Sequence, residues 1–113
     1  MKQVKAIIRP TRLDVVLRAL HDHLEVPGAS VSHVQGFGQH FGRETTEDGS
    51  LLPFGTGAMC KVECIVDDEL LDSVVALIQE AAHTGDHGDG RIFVIPVETM
   101  VTIRTGQRAT AAL

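Results

Sequence analysis

Two segments with amphipathic helical periodicity, each flanked by strand-like segments, restrict the possible folds of this chain more than any other feature. The first helical segment spans residues 11–23, where apolar residues recur at i, i+3, i+4 and i+7 and Thr11 occupies an N-cap position. The second helical segment follows the acids at 67–69 and continues to Ala81. Those acids suit the first turn of a helix because the helix dipole favours negative charge there. The sequence therefore predicts two helices, each with one apolar face.

Four strand-like segments surround these helices. They lie at 4–8, 30–38, 58–66 and 91–105. Pro96 predicts a bulge or break within the last segment, because proline cannot donate to a sheet ladder. The resulting order βαββαβ predicts a ferredoxin-like α+β sandwich, in which two helices cover one side of a four-stranded antiparallel sheet.

The predicted sheet has one face without helices. Apolar residues nevertheless occur on both strand parities, as at Ile7 and Ile8 in the first strand and at 92–95 in the last. Another copy of the chain is the simplest partner that could cover such a face. We therefore expect a homo-oligomer, although the periodicity does not give the number of copies.

Composition restricts both function and location. The only aromatic residues are four Phe, so the core must be aliphatic, and the net charge of −5 argues against non-specific nucleic-acid binding. No apolar run approaches the roughly 20 residues that cross a bilayer. The N-terminal segment also lacks the apolar region of a signal peptide. We expect residues 1–113 to form a single cytoplasmic domain.

Residues 39–57 show no regular pattern and contain four Gly and one Pro. A segment of this length without a strand or helix is unusual inside a small domain, and such segments are often functional. Cys60 and Cys64, which follow it, lie four residues apart on the third predicted strand. They should share one face of that strand and serve as reduced packing residues.

The glycine-rich segment 83–91 is the strongest candidate for a binding site. Its glycines permit positive φ angles, and successive N–H groups in such a turn can bind an anion. Arg91 adds a cation at its end, and Arg104 can bind a phosphate with two parallel hydrogen bonds. On a straight strand the two arginines would be about 40 Å apart. This mismatch favours a site between two subunits, unless the chain doubles back at Pro96.

Catalysis is not supported by the sequence. No nucleophile–base pair, paired carboxylates or Gly-x-Ser-x-Gly motif is present. His83, His87, Asp86 and Asp89 could supply metal ligands, but the glycines among them prevent a helical ligand pair, so we expect no metal site there.

The ordered stretches AIIRP, VSHVQGFG, TGDHGDGRIFVIPV and IRTGQ closely resemble those of the PII signal-transduction proteins, and the resemblance covers essentially the whole chain. It implies a homotrimer that binds adenine nucleotides, ATP or ADP, in the clefts between subunits. It also implies that residues 39–57 form the partner-docking T-loop, 83–91 the phosphate-wrapping B-loop and 105–113 the C-terminal loop.

The resemblance assigns nucleotide-binding positions residue by residue. Those around the adenosine are Ile7, Ser30, Glu63 and Ile65, and those flanking the nucleotide at a strand end are Gly36, Phe37 and Gly38. The phosphate positions are Gly88, Asp89, Gly90, Arg91 and Arg104. Arg91 stands where the family usually has lysine.

The chain departs from the family pattern at the distal-phosphate and effector positions. Thr102 replaces an arginine, Met59 replaces a lysine, and His40 stands where a glutamine helps to sense 2-oxoglutarate and Mg²⁺. These changes argue against a standard Mg²⁺–ATP–2-oxoglutarate site. They should also weaken the binding of ATP more than the binding of ADP or AMP. The chain has no tyrosine to be uridylylated, although Ser50 falls near a serine that is phosphorylated in some members.

We therefore expect a divergent PII-like regulator rather than an enzyme, acting through its T-loop on an unidentified target, such as a membrane transporter or an enzyme. A first alternative is a metal-responsive, CutA-like trimer that uses His33, His40, Met59, Cys60 and Cys64. A second is a sensor of a small anion such as bicarbonate at the altered His40 and Met59 positions.

Overall fold

The computed structural model describes residues 1–23, 26–45, 49 and 51–110. Its strands and helices, in chain order, are β1 (Lys2–Ile8), α1 (Leu13–His23), β2 (Ser30–Thr45), β3 (Leu51–Val66), α2 (Leu71–Ala82), β4 (Gly90–Pro96), β5 (Met100–Val101) and β6 (Arg108–Ala109). Strands β1 to β4 form one antiparallel sheet in the order β2-β3-β1-β4, and β5 pairs with β6 separately. This topology confirms the ferredoxin-like α+β prediction.

The core lies between the two helices and one face of the sheet. Along β1, Val4, Ala6 and Ile8 are buried, whereas the alternate residues are partly exposed. Strand β3 contributes Cys60 and Cys64 to the same face, and both are free and buried, as predicted. The remaining buried members are Val62 and Val66 of β3, Val16 and Leu20 of α1, and Val74, Ile78, Ala81 and Ala82 of α2.

Each helix starts with a turn of 3₁₀ helix, which the sequence did not predict. The turn before α1 spans Pro10–Arg12, and Thr11 lies inside it, so the predicted N-cap at Thr11 is wrong. Proline suits the first position of such a turn because it has no N–H to leave unpaired. Arg12 donates from Nε and Nη2 to the carbonyl of Ala81, at 2.9 and 2.6 Å, and so caps the end of α2. No helix in the described part of the chain is long and apolar enough to cross a membrane.

Strands β2 and β3 extend well beyond the sheet, and the prediction of an irregular segment at 39–57 is wrong for its described residues. Residues 39–45 and 51–57, which we call the arm, continue the two strands. None of the arm side chains that the structure describes belongs to the core cluster, and only strands with a buried face need the alternation by which strands are recognised. The radius of gyration is 17.0 Å, whereas a compact chain of this length would give about 13 Å.

The last predicted strand is divided into shorter elements. Strand β4 ends at Pro96, as its missing N–H predicts, and β5 begins only at Met100. The chain then turns through 102–106, where the N–H of Thr102 donates to the carbonyl of Gln107 at 2.9 Å. The break at Pro96 is therefore confirmed, but the prediction of one strand-like segment over residues 91–105 is wrong. The 40 Å estimate between the two arginines no longer argues for a site between subunits.

The helix-free face of the sheet is mixed in character. Phe93 and Ile95 of β4 lie on it, at 45% and 36% exposure, opposite Lys5 and Gln3 of β1. Charged groups share this face, and Gln3 donates from Nε2 to Glu63 at 2.8 Å. This face therefore carries exposed apolar side chains beside hydrogen-bonded polar ones.

Candidate functional site

The loop between α2 and β4 takes its shape from three glycines with positive φ angles. Gly85, Gly88 and Gly90 have φ values of 95°, 97° and 102°. Gly90 is also packed tightly, because a Cβ built there would lie 1.7 Å from the carbonyl oxygen of Ile7. Residues other than glycine rarely adopt these angles. Glycine at these positions therefore allows the loop to take this path and to approach β1 closely.

The carboxylate of Asp89 holds this loop together. It accepts hydrogen bonds from the backbone N–H groups of Thr84 and Gly85, at 2.8 and 2.9 Å, and from the Thr84 hydroxyl. Arg9 donates from Nε to the same carboxylate at 2.9 Å. This carboxylate therefore accepts four hydrogen bonds, three from the loop itself and one from Arg9.

These contacts keep Asp89 ionised. The Thr84 hydroxyl, followed by Arg9 and the Thr84 and Gly85 amides, lowers the pKa of the Asp89 carboxyl far below its ordinary value. Hydrogen bonds to a carboxylate favour the charged form. This stabilisation of the loop is therefore present above the ordinary pKa of an aspartate and is lost only as the pH falls below it.

Arg9 belongs to the site, although it was not predicted from the sequence. Its Nη2 donates to the carbonyl of His87 at 2.7 Å, in addition to the bond to Asp89. The two partners lie about 80 residues from Arg9 along the chain and meet it because Ile8 pairs with Gly90 at the end of the β1–β4 ladder. Only the strand register could have revealed this contact.

A cleft of about 570 Å³, which we call the loop cleft, lies between this loop and the beginning of the arm. Its size falls within the range of small-molecule sites. Nine of the residues predicted from the sequence line it, namely Ile7, Gly36, Phe37, Gly38, Met59, Gly88, Asp89, Gly90 and Arg91. The side chain of Arg91 is exposed and takes part in none of the ion pairs within 1–23, 26–45 and 51–110.

The arm side of the loop cleft is apolar. The ring of Phe41 lies on Gly36 and Gly57, where added Cβ atoms would approach it to 2.9 and 2.5 Å. Phe37 is 74% exposed at the same end, and Met59 is buried there. Met59 stands where the resemblance would place a lysine, so that position carries no positive charge. Phe41 lines the cleft, although the sequence did not predict it as a site residue.

Three other predicted residues lie in a different cleft. Ser30, Glu63 and Ile65 line a cavity of about 260 Å³ together with residues 27–29, Cys64 and Met100, which we call the β2 cleft. Ser30 and Gly36 are six residues apart on β2, or about 20 Å. Of the four predicted adenosine positions, Ser30, Glu63 and Ile65 therefore lie in the β2 cleft, and Ile7 lies in the loop cleft.

Comparison with known proteins shows the family of this chain. The sequence profile of the family described as "Nitrogen regulatory protein P-II" matches residues 1–107. The chain belongs to the P-II family. It is 45% identical to the nitrogen regulatory protein P-II of Nostoc punctiforme, 42% to that of Synechocystis and 40% to that of Azospirillum brasilense. Each alignment covers all 113 residues and the whole of both chains.

Arg104 lies apart from both clefts in this P-II family member. It is exposed in the turn at 102–106 and lines neither the loop cleft nor the β2 cleft. Ser50 and the side chain of His40 fall outside the described residues, so the predictions made for them remain predictions.

The residues proposed for a metal site are separated. Cys60 Sγ lies 3.4 Å from His33 Nδ1 on the core side of the sheet, whereas Met59 faces the loop cleft. Burial raises the pKa of the Cys64 thiol, which disfavours the thiolate that a metal requires. Among the residues that the structure describes, no group of three or more His, Cys, Asp or Glu is placed to bind a metal ion.

Proposed function

We propose that this chain is a non-enzymatic, cytoplasmic regulator that binds an adenine nucleotide between the subunits of a homotrimer. The observation that supports it best is the loop cleft, which gathers nine residues that the resemblance to PII proteins assigns to the ligand or the effector. Its glycine loop offers backbone N–H groups, and Arg91 offers a charged donor; both bind phosphate oxygens well.

The separation of the two clefts supports a site shared by two subunits. A nucleotide whose phosphates occupy the loop cleft of one subunit would place its adenosine in the β2 cleft of the next. Arg104 would reach the phosphates only across such an interface, because it lies outside the loop cleft of its own chain. The exposed apolar residues Phe93, Ile95 and Ile103, the last 98% exposed, are suited to pack between the copies.

The arm is the element that would transmit the bound state. It begins next to the loop cleft, where Phe41 rests on Gly36 and Gly57. A ligand that favours one position of Phe41 would also favour one arrangement of the arm, which is a population shift. The arm would present that arrangement to a target protein, either an enzyme or a membrane transporter.

Isothermal titration with ATP, ADP and AMP tests the proposal. We expect binding, with ADP at least as tight as ATP, because Met59 and Thr102 stand where the resemblance would place distal-phosphate cations. Each missing charge-assisted hydrogen bond should cost about 1.5–3 kcal/mol. Added Mg²⁺ and 2-oxoglutarate should not increase the affinity for ATP. The absence of heat with all three nucleotides would reject the proposal.

A further inference from the structure

A carboxylate lies in the wall of the cleft that is proposed to hold phosphates. Asp89 is partly exposed there, with 23% of its side-chain surface accessible. An unpaired negative charge at this point would repel a phosphate. A phosphate-binding loop that contains Asp89 therefore needs a device that neutralises it.

Arg9 supplies a positive charge in a fixed position. It follows the last β1–β4 pair, Ile8 with Gly90, and precedes Pro10. Its backbone is extended, with φ −63° and ψ 140°, at the junction of β1 and the 3₁₀ turn. The side chain is held by two hydrogen bonds, because it donates to the carboxylate of Asp89 and to the carbonyl of His87.

The guanidinium of Arg9 also lies against Gly88. A Cβ at Gly88 would stand 3.3 Å from Nη2 of Arg9, closer than most such contacts. Arg9 therefore contacts the consecutive residues His87, Gly88 and Asp89 without lining the loop cleft. Arg91, in contrast, lines the cleft. The two arginines differ in role, although both carry the same charge.

We propose that Arg9 is a positioning residue for the 84–90 loop: it neutralises Asp89 and holds the loop in its anion-binding conformation without itself contacting the ligand. Asp89 then acts as the organiser of the loop rather than as a ligand contact. This inference rests on the proposed function of the loop cleft as a phosphate site.

A double-mutant cycle with Arg9→Gln, Asp89→Asn and the combined variant tests this role, using ADP as the probe. We expect each single variant to raise the Kd of ADP roughly tenfold. The combined variant should be no worse than either single one, because both break the same unit. Arg9→Lys should recover part of the loss. Arg18→Gln, which removes the same charge from the exposed face of α1, is the matched control and should leave the Kd unchanged.

Amide hydrogen exchange of the nucleotide-free protein separates this inference from the proposed function. The N–H groups of Thr84 and Gly85 donate to Asp89, so we expect them to exchange faster in Arg9→Gln but not in Arg18→Gln. Unchanged exchange in Arg9→Gln would overturn the inference. So would tighter ADP binding by Asp89→Asn, which is the result expected if Arg9 simply binds the phosphates. If the wild type fails to bind ADP, the proposed function falls, and the exchange data still decide whether Arg9 holds the loop.

Discussion

Replacing Gly90 with alanine is expected to destabilise the protein by at least about 3 kcal/mol. The new Cβ would lie 1.7 Å from the carbonyl oxygen of Ile7 and 2.8 Å from its carbonyl carbon, so backbone must move. The φ of 102° at Gly90 is also unfavourable for alanine. The β1–β4 ladder ends at this residue, and its separation would remove Arg9 from Asp89. Urea unfolding followed by circular dichroism measures the loss.

Gly28→Ala is the matched control for this substitution. A Cβ at Gly28 meets nothing within 4 Å, and its φ is not in the left-handed region. We expect its unfolding midpoint to stay close to that of the wild type. If the free energy of unfolding of Gly90→Ala also lay within about 0.5 kcal/mol of the wild-type value, the loop could not approach β1 as closely as described.

Replacing Arg91 with glutamine is expected to raise the Kd of ADP about 10- to 150-fold, because a charge-assisted hydrogen bond is worth about 1.5–3 kcal/mol. Arg91 is exposed in the loop cleft and takes part in no ion pair of the described chain, so its loss should leave stability nearly unchanged. Isothermal titration measures the affinity, and urea unfolding checks the stability.

Arg91→Lys and Arg18→Gln are the controls for this effect. The lysine keeps the charge at the site, so most of the affinity should remain. Arg18→Gln removes an arginine from the exposed surface of α1 and should have no effect. An unchanged Kd in Arg91→Gln would exclude the loop cleft as the phosphate site.

The fold could be predicted from the sequence because its core strands and helices carry one buried face. The alternation of Val4, Ala6 and Ile8 and the spacing of Val16 and Leu20 each follow from contact with the same core. The arm could not be predicted this way. Its strands pair with each other through their backbones, as at Thr45 with Leu51, and none of its described side chains belongs to the core that imposes such an alternation.

The candidate site was predicted in part for a similar reason. Glycines followed by an arginine at the start of a strand indicate an anion site, and nine of the residues that the resemblance to P-II proteins assigns line one cleft. Arg9 was missed because its partners lie about 80 residues away and meet it only through the β1–β4 register. Phe41 was missed because it lies in the arm, where the sequence did not predict strands. The role of Asp89 was also missed, since its charged partner Arg9 becomes a neighbour only after folding.

The most direct test of a shared site is complementation in mixed trimers. Arg91→Gln damages the loop cleft, and Ser30→Phe fills the β2 cleft, so each variant alone should bind ADP poorly. The two would be co-expressed with different affinity tags, and trimers containing both would be purified and their mass confirmed. If each site combines the loop cleft of one subunit with the β2 cleft of the next, every mixed trimer contains one undamaged site. The account predicts that ADP binding returns with wild-type affinity at one site per mixed trimer, whereas mixed trimers without any tight site would contradict it.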